Sequence, residues 1–229
     1  MEQRDLYDIN KRLTGQTIFK GESIPENNYI IVVLVFIQNS EGKFLIQKRS
    51  EIKNGKYATT GGHPKSGENS VQGIISEVKE EIGLELSPND LQLYYTGRSD
   101  SERVFLDDYY IKMDIDDIKS LTLQKEEVES VCWLSIDEIY SLMKENKFFK
   151  NHYEEFEILL KWLNEGLLLY RRTYQKRIME LSRNPNATKK EKDAFNNWKK
   201  SAQTKIKEFK AGKIDKEALN KWMRENKDL

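Results

Sequence analysis

A chain of 229 residues, 38% hydrophobic and 10% aromatic, is long enough for one sizeable domain with an appendage or for two small domains. Lys+Arg and Asp+Glu balance at 38 each, so net charge alone selects no partner, and the single cysteine, Cys132, excludes an internal disulfide and a Cys-rich zinc site. The balance hides an asymmetry: residues 171–229 carry 18 basic and 8 acidic side chains, so the body before them is acidic and the tail basic. The start, MEQRDLYDINKRL, is charged and lacks an apolar core, so no secretory signal is expected. The most apolar run, residues 29–37, is too short to span a bilayer, so no membrane partner is expected and a cytoplasmic protein is the default.

In chain order, "NYIIVVLVFIQ" (28–38) is a β-branched run that predicts a buried strand. "NSEG" predicts a turn and "KFLIQKRS" (43–50) a second strand, together a hairpin. A glycine-punctuated loop follows, with a short extended piece at 57–60. From Ser70 to Ile82, apolar Val71, Ile74, Ile75 and Val78 recur at helical spacing, and Gly83 stands where a C-terminal cap belongs. "LQLYYTGRS", "RVFLDDYYIKMDI" and "VESVCWLS" read as strands. "SIDEIYSLMKEN" opens with a capping box, Ser135 and Glu138. A long helical stretch over 151–184 is expected to break near Gly166, and Pro185 marks the next break. Two short helices hinged at Gly212 follow, the second capped by Asp215. The order of elements predicts a mixed sheet with helices on its faces and a helical extension: a body over 1–165 and a basic extension over 166–229.

The chemistry concentrates in "GGHPKSGENSVQGIISEVKEEIGLEL" (61–86). Glu77, Glu80 and Glu81 lie at i, i+3 and i+4, on one helix face, and Glu68 sits in the loop just before. Like charges at this spacing repel and raise one another's pKa unless a cation sits among them. Oxygen ligands with no nearby Cys or His pair suit Mg²⁺ or Mn²⁺, which usually share their coordination with substrate phosphates. Without the glycines, a solvated acidic helix face accounts for the pattern as well. Gly61 and Gly62 permit close backbone approach to the cluster.

Gly62, five residues, Glu68, seven residues, then Ser76-Glu77-Val78-Lys79-Glu80-Glu81-Ile82-Gly83-Leu84 resembles the Nudix box, matching eight of nine defined positions over 23 residues. The similarity extends from about Asp5 to Leu160, with "LIQKRS" and "EEVESVCWLSIDEI" resembling the flanking segments, and does not cover the basic tail. It implies a Nudix α/β/α sandwich with a mixed sheet. The implied activity is hydrolysis of a pyrophosphate bond in a nucleoside diphosphate linked to another moiety, a small-molecule diphosphate substrate. Glu77, Glu80 and Glu81 would hold Mg²⁺ and carry catalysis, with Glu77 helping to deprotonate the attacking water. The carbonyl of Gly62 would complete the shell, and Glu68 would support the loop or the metals. A further acid is expected from Glu126 or Glu127, with Asp107 and Asp108 behind them; Arg49 and His63 are candidates for binding substrate. The one departure is Ser76, where the family carries arginine: Lys65 or Lys79 would have to supply that charge, or metal affinity and rate fall.

Two other readings stay open. "GGHPKSGE" is also similar to type I isopentenyl diphosphate isomerase, but that enzyme carries a catalytic cysteine where this chain has Gly61, and Cys132 reads as a core residue. A Nudix-like module that binds a nucleotide or partner without hydrolysis is motivated by Ser76 and the tail. Phe195, Trp198, Phe209 and Trp222 sit at helix-like intervals among the tail lysines. This favours a small helical subdomain or a homodimer interface over nucleic-acid contact by phosphate binding and stacking. Tyr57, Phe105, Tyr109 and Tyr110 are candidates either for base stacking or for the core.

Overall fold

The computed structural model describes residues 2–184 and 186–226, with backbone alone at 165–169, 171–172, 175, 182–183, 210 and 216–217. The chain divides into two compact units, Met1–Leu159 and Leu160–Leu229. In the first, a two-stranded sheet that the sequence did not announce, β1 (Gln3–Tyr7) with β2 (Leu13–Phe19), precedes the main sheet. The apolar run forms β3 (Ile30–Gln38), which turns into β4 (Phe44–Arg49). These strands meet at Gln38 and Phe44 and then part. On that edge β3 next pairs with β6 (Thr60–Gly62), while β4 pairs with β5 (Tyr57–Ala58) and β9 (Val128–Leu134). On its other edge β3 runs parallel to β8 (Val104–Lys112), and β8 pairs antiparallel with β7 (Gln92–Ser99). One parallel pairing among antiparallel ones makes this seven-stranded sheet mixed.

The alternation of β3 sorts its side chains onto two layers. Ile31, Val33, Val35 and Ile37 face Ile74, Val78 and Ile82 of α1 (Ser70–Ile82), forming one core. From the opposite face, Phe36 meets Phe44, Tyr94 and Phe156, with ring centroids 5.5–6.4 Å apart, and Tyr140 closes on Phe156. Phe156 belongs to α3 (Tyr153–Arg183) and Tyr140 to α2 (Ile136–Lys144), so helices cover both faces, as an α/β/α sandwich requires. The second layer stops short: Ile30, Val32 and Leu34, on the same face as Phe36, line an open cleft.

Helix α1 begins at Asn69, whose side chain and Gln72 form a reciprocal capping box, and it ends at Gly83 with φ 70°. The expected break near Gly166 is absent, because α3 is a single helix of 31 residues. An interior glycine costs a helix only about 1 kcal/mol, which the flanking turns carry. In the second unit, α4 (Lys189–Lys210) and α5 (Lys216–Glu225) are hinged at Gly212, and Asp215 caps α5. Phe195, Trp198, Ala202, Ile206, Leu219 and Met223 form this unit's own core, with Phe209 and Trp222 packed against it. The expected break at Pro185 lies outside the described residues. Among the described residues, no helix is long and apolar enough to cross a membrane.

Candidate active site

The loop before α1 is fixed from three sides. Asp5 of β1 accepts from the Ser66 hydroxyl at 2.6 Å and the Gly67 N–H at 2.8 Å. Glu68 accepts the Lys65 N–H at 2.9 Å and the Ser76 hydroxyl at 2.7 Å, so both of its oxygens tie the loop to α1. Ser76 therefore holds Glu68 with a hydroxyl, where an arginine would have offered a guanidinium. Lys65 reaches Glu80 with its ammonium group, whereas Lys79 pairs with Glu85 at 2.7 Å, away from the three-glutamate face.

The paired glycines are dictated by close approach. A Cβ on Gly62 would lie 2.3 Å from the Glu77 carboxylate, and one on Gly61 would lie 2.4 Å from both Leu34 and the Val33 carbonyl. Gly61 thus has no room for a side chain, including the cysteine of the isomerase-like pattern. Cys132 sits on β9 with its thiol against the Ile46 carbonyl at 3.7 Å. The space at Gly62 lets Glu77 accept the His63 N–H at 2.9 Å.

Glu81 is 7% exposed and receives one printed donor, the Gln47 amide at 3.2 Å. Burial, then the charge of Glu77, pushes its carboxyl up to about 8. Burial likewise raises Glu77. Among the described residues, no three Asp, Glu, His or Cys side chains already stand as a closed metal cage. Carboxylates raised by burial and by one another nevertheless have the electrostatics of a site short of positive charge.

These groups open into the cleft of about 850 Å³. Arg4, Lys20, Arg49 and Lys53 line it with Glu77, Glu80 and Glu81, and acidic side chains outnumber basic ones in the lining. Burial, then the charge of Arg4, lowers the His63 imidazole to about 4, so it is neutral at pH 7. Glu127 lines the cleft and pairs with Lys53 at 2.8 Å. Glu126 is exposed, Asp107 is held by Lys11 and Thr96, and Asp108 is fully buried. Arg49 lies over the ring of Phe149, 4.8 Å from its centroid. Of the aromatic candidates, Phe105, Tyr109 and Tyr110 are buried, and Tyr57 lies on β5 outside the cleft lining. Sequence reading missed Arg4, Lys20, Gln47 and the segment 149–155. The alternation that puts Gln47 on the inner face of a strand was the one available signal.

A mixed sheet between helices, with a glycine-hinged loop delivering glutamates into a cleft, defines an enzyme of the α/β/α sandwich class. A model of the NUDIX domain matches residues 28–156, more than half of the chain. An uncharacterized Nudix hydrolase of Listeria monocytogenes is 33% identical over 152 residues, covering 65% of this chain and 88% of that protein. Another, from Clostridium acetobutylicum, is 33% identical over 150 residues, covering 59% of this chain and 70% of its own. The crystal structure of DR0079 from Deinococcus radiodurans shares the fold with a TM-score of 0.55 at 19% identity, covering 68% of this chain and 96% of that one. The chain belongs to the Nudix hydrolase family, whose members generally hydrolyse pyrophosphate bonds in nucleoside diphosphate derivatives.

Proposed function

We propose that the chain is a cytoplasmic, Mg²⁺-dependent pyrophosphohydrolase acting on a small nucleoside diphosphate linked to a second moiety. The observation that carries this reading is the meeting, in one cleft, of Glu77, Glu80 and Glu81 with Arg4, Lys20, Arg49 and Lys53. The first set suits a divalent cation and the second a diphosphate.

Glu77, Glu80, Glu81 and the Gly62 carbonyl are the residues that would hold Mg²⁺, or Mn²⁺. When bound, the ion polarises phosphoryl oxygens and acidifies coordinated water. Glu80 exchanges the Lys65 ammonium for the cation. Glu77, anchored through one oxygen by the His63 amide, offers the other to the proton of the attacking water. Arg4, Lys20, Arg49 and Lys53 hold the diphosphate in line and neutralise the leaving phosphate. Neutral His63 donates or accepts at the diphosphate without adding charge. Glu68 serves through the loop it ties, and Glu127 supports the site as the acid outside the box, restrained by Lys53.

A panel of nucleoside diphosphate sugars, dinucleoside polyphosphates, NADH and ADP-ribose with Mg²⁺ tests the proposal. Cleavage at the pyrophosphate supports it. Tight binding of a panel member with no cleavage replaces it with a non-catalytic binding module.

A further inference from the structure

The cleft continues past the glutamates to a second cluster that the hydrolytic reading leaves unused. It is supplied by one short segment, 149–155, and by β8. Phe149, His152, Glu154 and Glu155 line the cleft. Glu155 is only 8% exposed, and its Oε2 is closed to solvent with no hydrogen-bond partner. His152 Nδ1 is in the same state.

Asp108 stands behind them with 0% exposure and both carboxylate oxygens unpartnered. Its direction follows from the strand period: Val104 and Leu106 line the cleft, and Asp108 is the next residue on that face of β8. Its partner across the parallel pairing, Leu34, lines the cleft as well. Asp108 and Glu155 interact electrostatically, each carboxyl raised chiefly by burial, and for Asp108 next by the Glu155 charge.

Buried polar atoms without partners are uncommon, and each such group calls for an occupant or a function. Here three carboxylate oxygens and an imidazole nitrogen are orphaned together, at the floor of a cleft with room for a whole nucleotide. A half-buried aromatic ring, Phe149, stands on the same wall.

We infer that Asp108 and Glu155 form a base-recognition subsite that takes the exocyclic amino group of a nucleobase, with Phe149 against the base face. This rests on the reading of the cleft as a nucleotide site and narrows the substrate class to cytosine or adenine nucleoside diphosphate derivatives. The pattern is complementary. An acid pair that shares one proton offers a donor beside acceptors, which matches the ring nitrogen and adjacent amino group of cytosine or adenine. Uracil and hypoxanthine turn a carbonyl toward the same acceptors and leave them unpaired, the costly arrangement for buried groups. His152 offers a further nitrogen at the rim of the subsite.

The test is binding rather than turnover. Calorimetric titration of the full chain, with Mg²⁺ absent, compares CMP with UMP and AMP with IMP, pairs that differ at the amino position. The expected result is that CMP or AMP binds at least about tenfold more tightly than its oxo counterpart. In Asp108→Asn and in Glu155→Gln that ratio should fall below about threefold, because an amide cannot replace the acid's acceptor pattern. A role for these acids confined to folding would change stability in the variants and leave the ratio intact, which overturns the subsite. Equal affinity for all four nucleotides in the wild type overturns it too. So does the absence of any binding in an enzyme that cleaves a diphosphate from the panel, and that outcome leaves the hydrolase reading standing. Discrimination between bases with no cleavage of any diphosphate has the reverse meaning: the subsite holds and the hydrolase reading falls.

Discussion

Replacing Asp108 by asparagine removes a charge from a place that cannot hydrate it. Both carboxylate oxygens are sealed and unpartnered, and burial, followed by the Glu155 and Asp107 charges, lifts the carboxyl from 3.8 to about 8. Between those values the folded protein keeps a proton that the unfolded chain has released. Stability therefore falls as pH rises, by about 1.4 kcal/mol per pH unit at full effect. The penalty is absent below about pH 4 and complete above about pH 8, where it reaches roughly 5 kcal/mol, as large as the whole margin of many domains. Asparagine cannot ionise, so Asp108→Asn should match the wild type near pH 4 and exceed its stability by several kcal/mol at pH 8. Urea denaturation of the full chain, followed by far-ultraviolet circular dichroism at pH steps from 4 to 8, measures the difference directly. Parallel pH profiles for the two proteins would refute the reasoning, because they would mean that Asp108 is hydrated or paired in the folded state.

Two further outcomes follow from the loop. Gly62→Ala places a Cβ on the Glu77 carboxylate and must displace it, so hydrolysis should fall by about 100-fold or more in steady-state assays while circular dichroism stays unchanged. Ser76→Ala removes the hydroxyl that holds Glu68 at 2.7 Å, and thermal or chemical melting should register a loss of about 1–2 kcal/mol.

The parts of the fold legible in the sequence were those whose pattern is set locally. The apolar period from Val71 to Val78 and the left-handed cap at Gly83 placed α1 at its observed bounds, and the β-branched run placed β3. The hairpin of β1 and β2 was not legible, since most of β2 is exposed and shows no alternation to read. Ser76 looked like a missing charge until the loop geometry showed its hydroxyl on Glu68. The box glutamates were visible because a helix fixes their spacing. Arg4, Lys20 and the segment 149–155 reach the same cleft from elements distant in the chain, and only the sheet topology brings them there. "FLDDYY" was read as two candidate acids, but which aspartate faces the cleft side of the sheet depends on the register of β8 against β3.

The central claim is that the box glutamates hold a divalent cation which drives cleavage of a nucleoside diphosphate bond. The most direct measurement is nucleoside monophosphate release from the diphosphate panel, by wild type and Glu81→Gln, with Mg²⁺ and with a chelator. The account predicts release by the wild type with Mg²⁺, none with the chelator, and a loss of about 1,000-fold in Glu81→Gln. Release that survives both the chelator and the substitution would contradict it, as would the absence of cleavage across the whole panel.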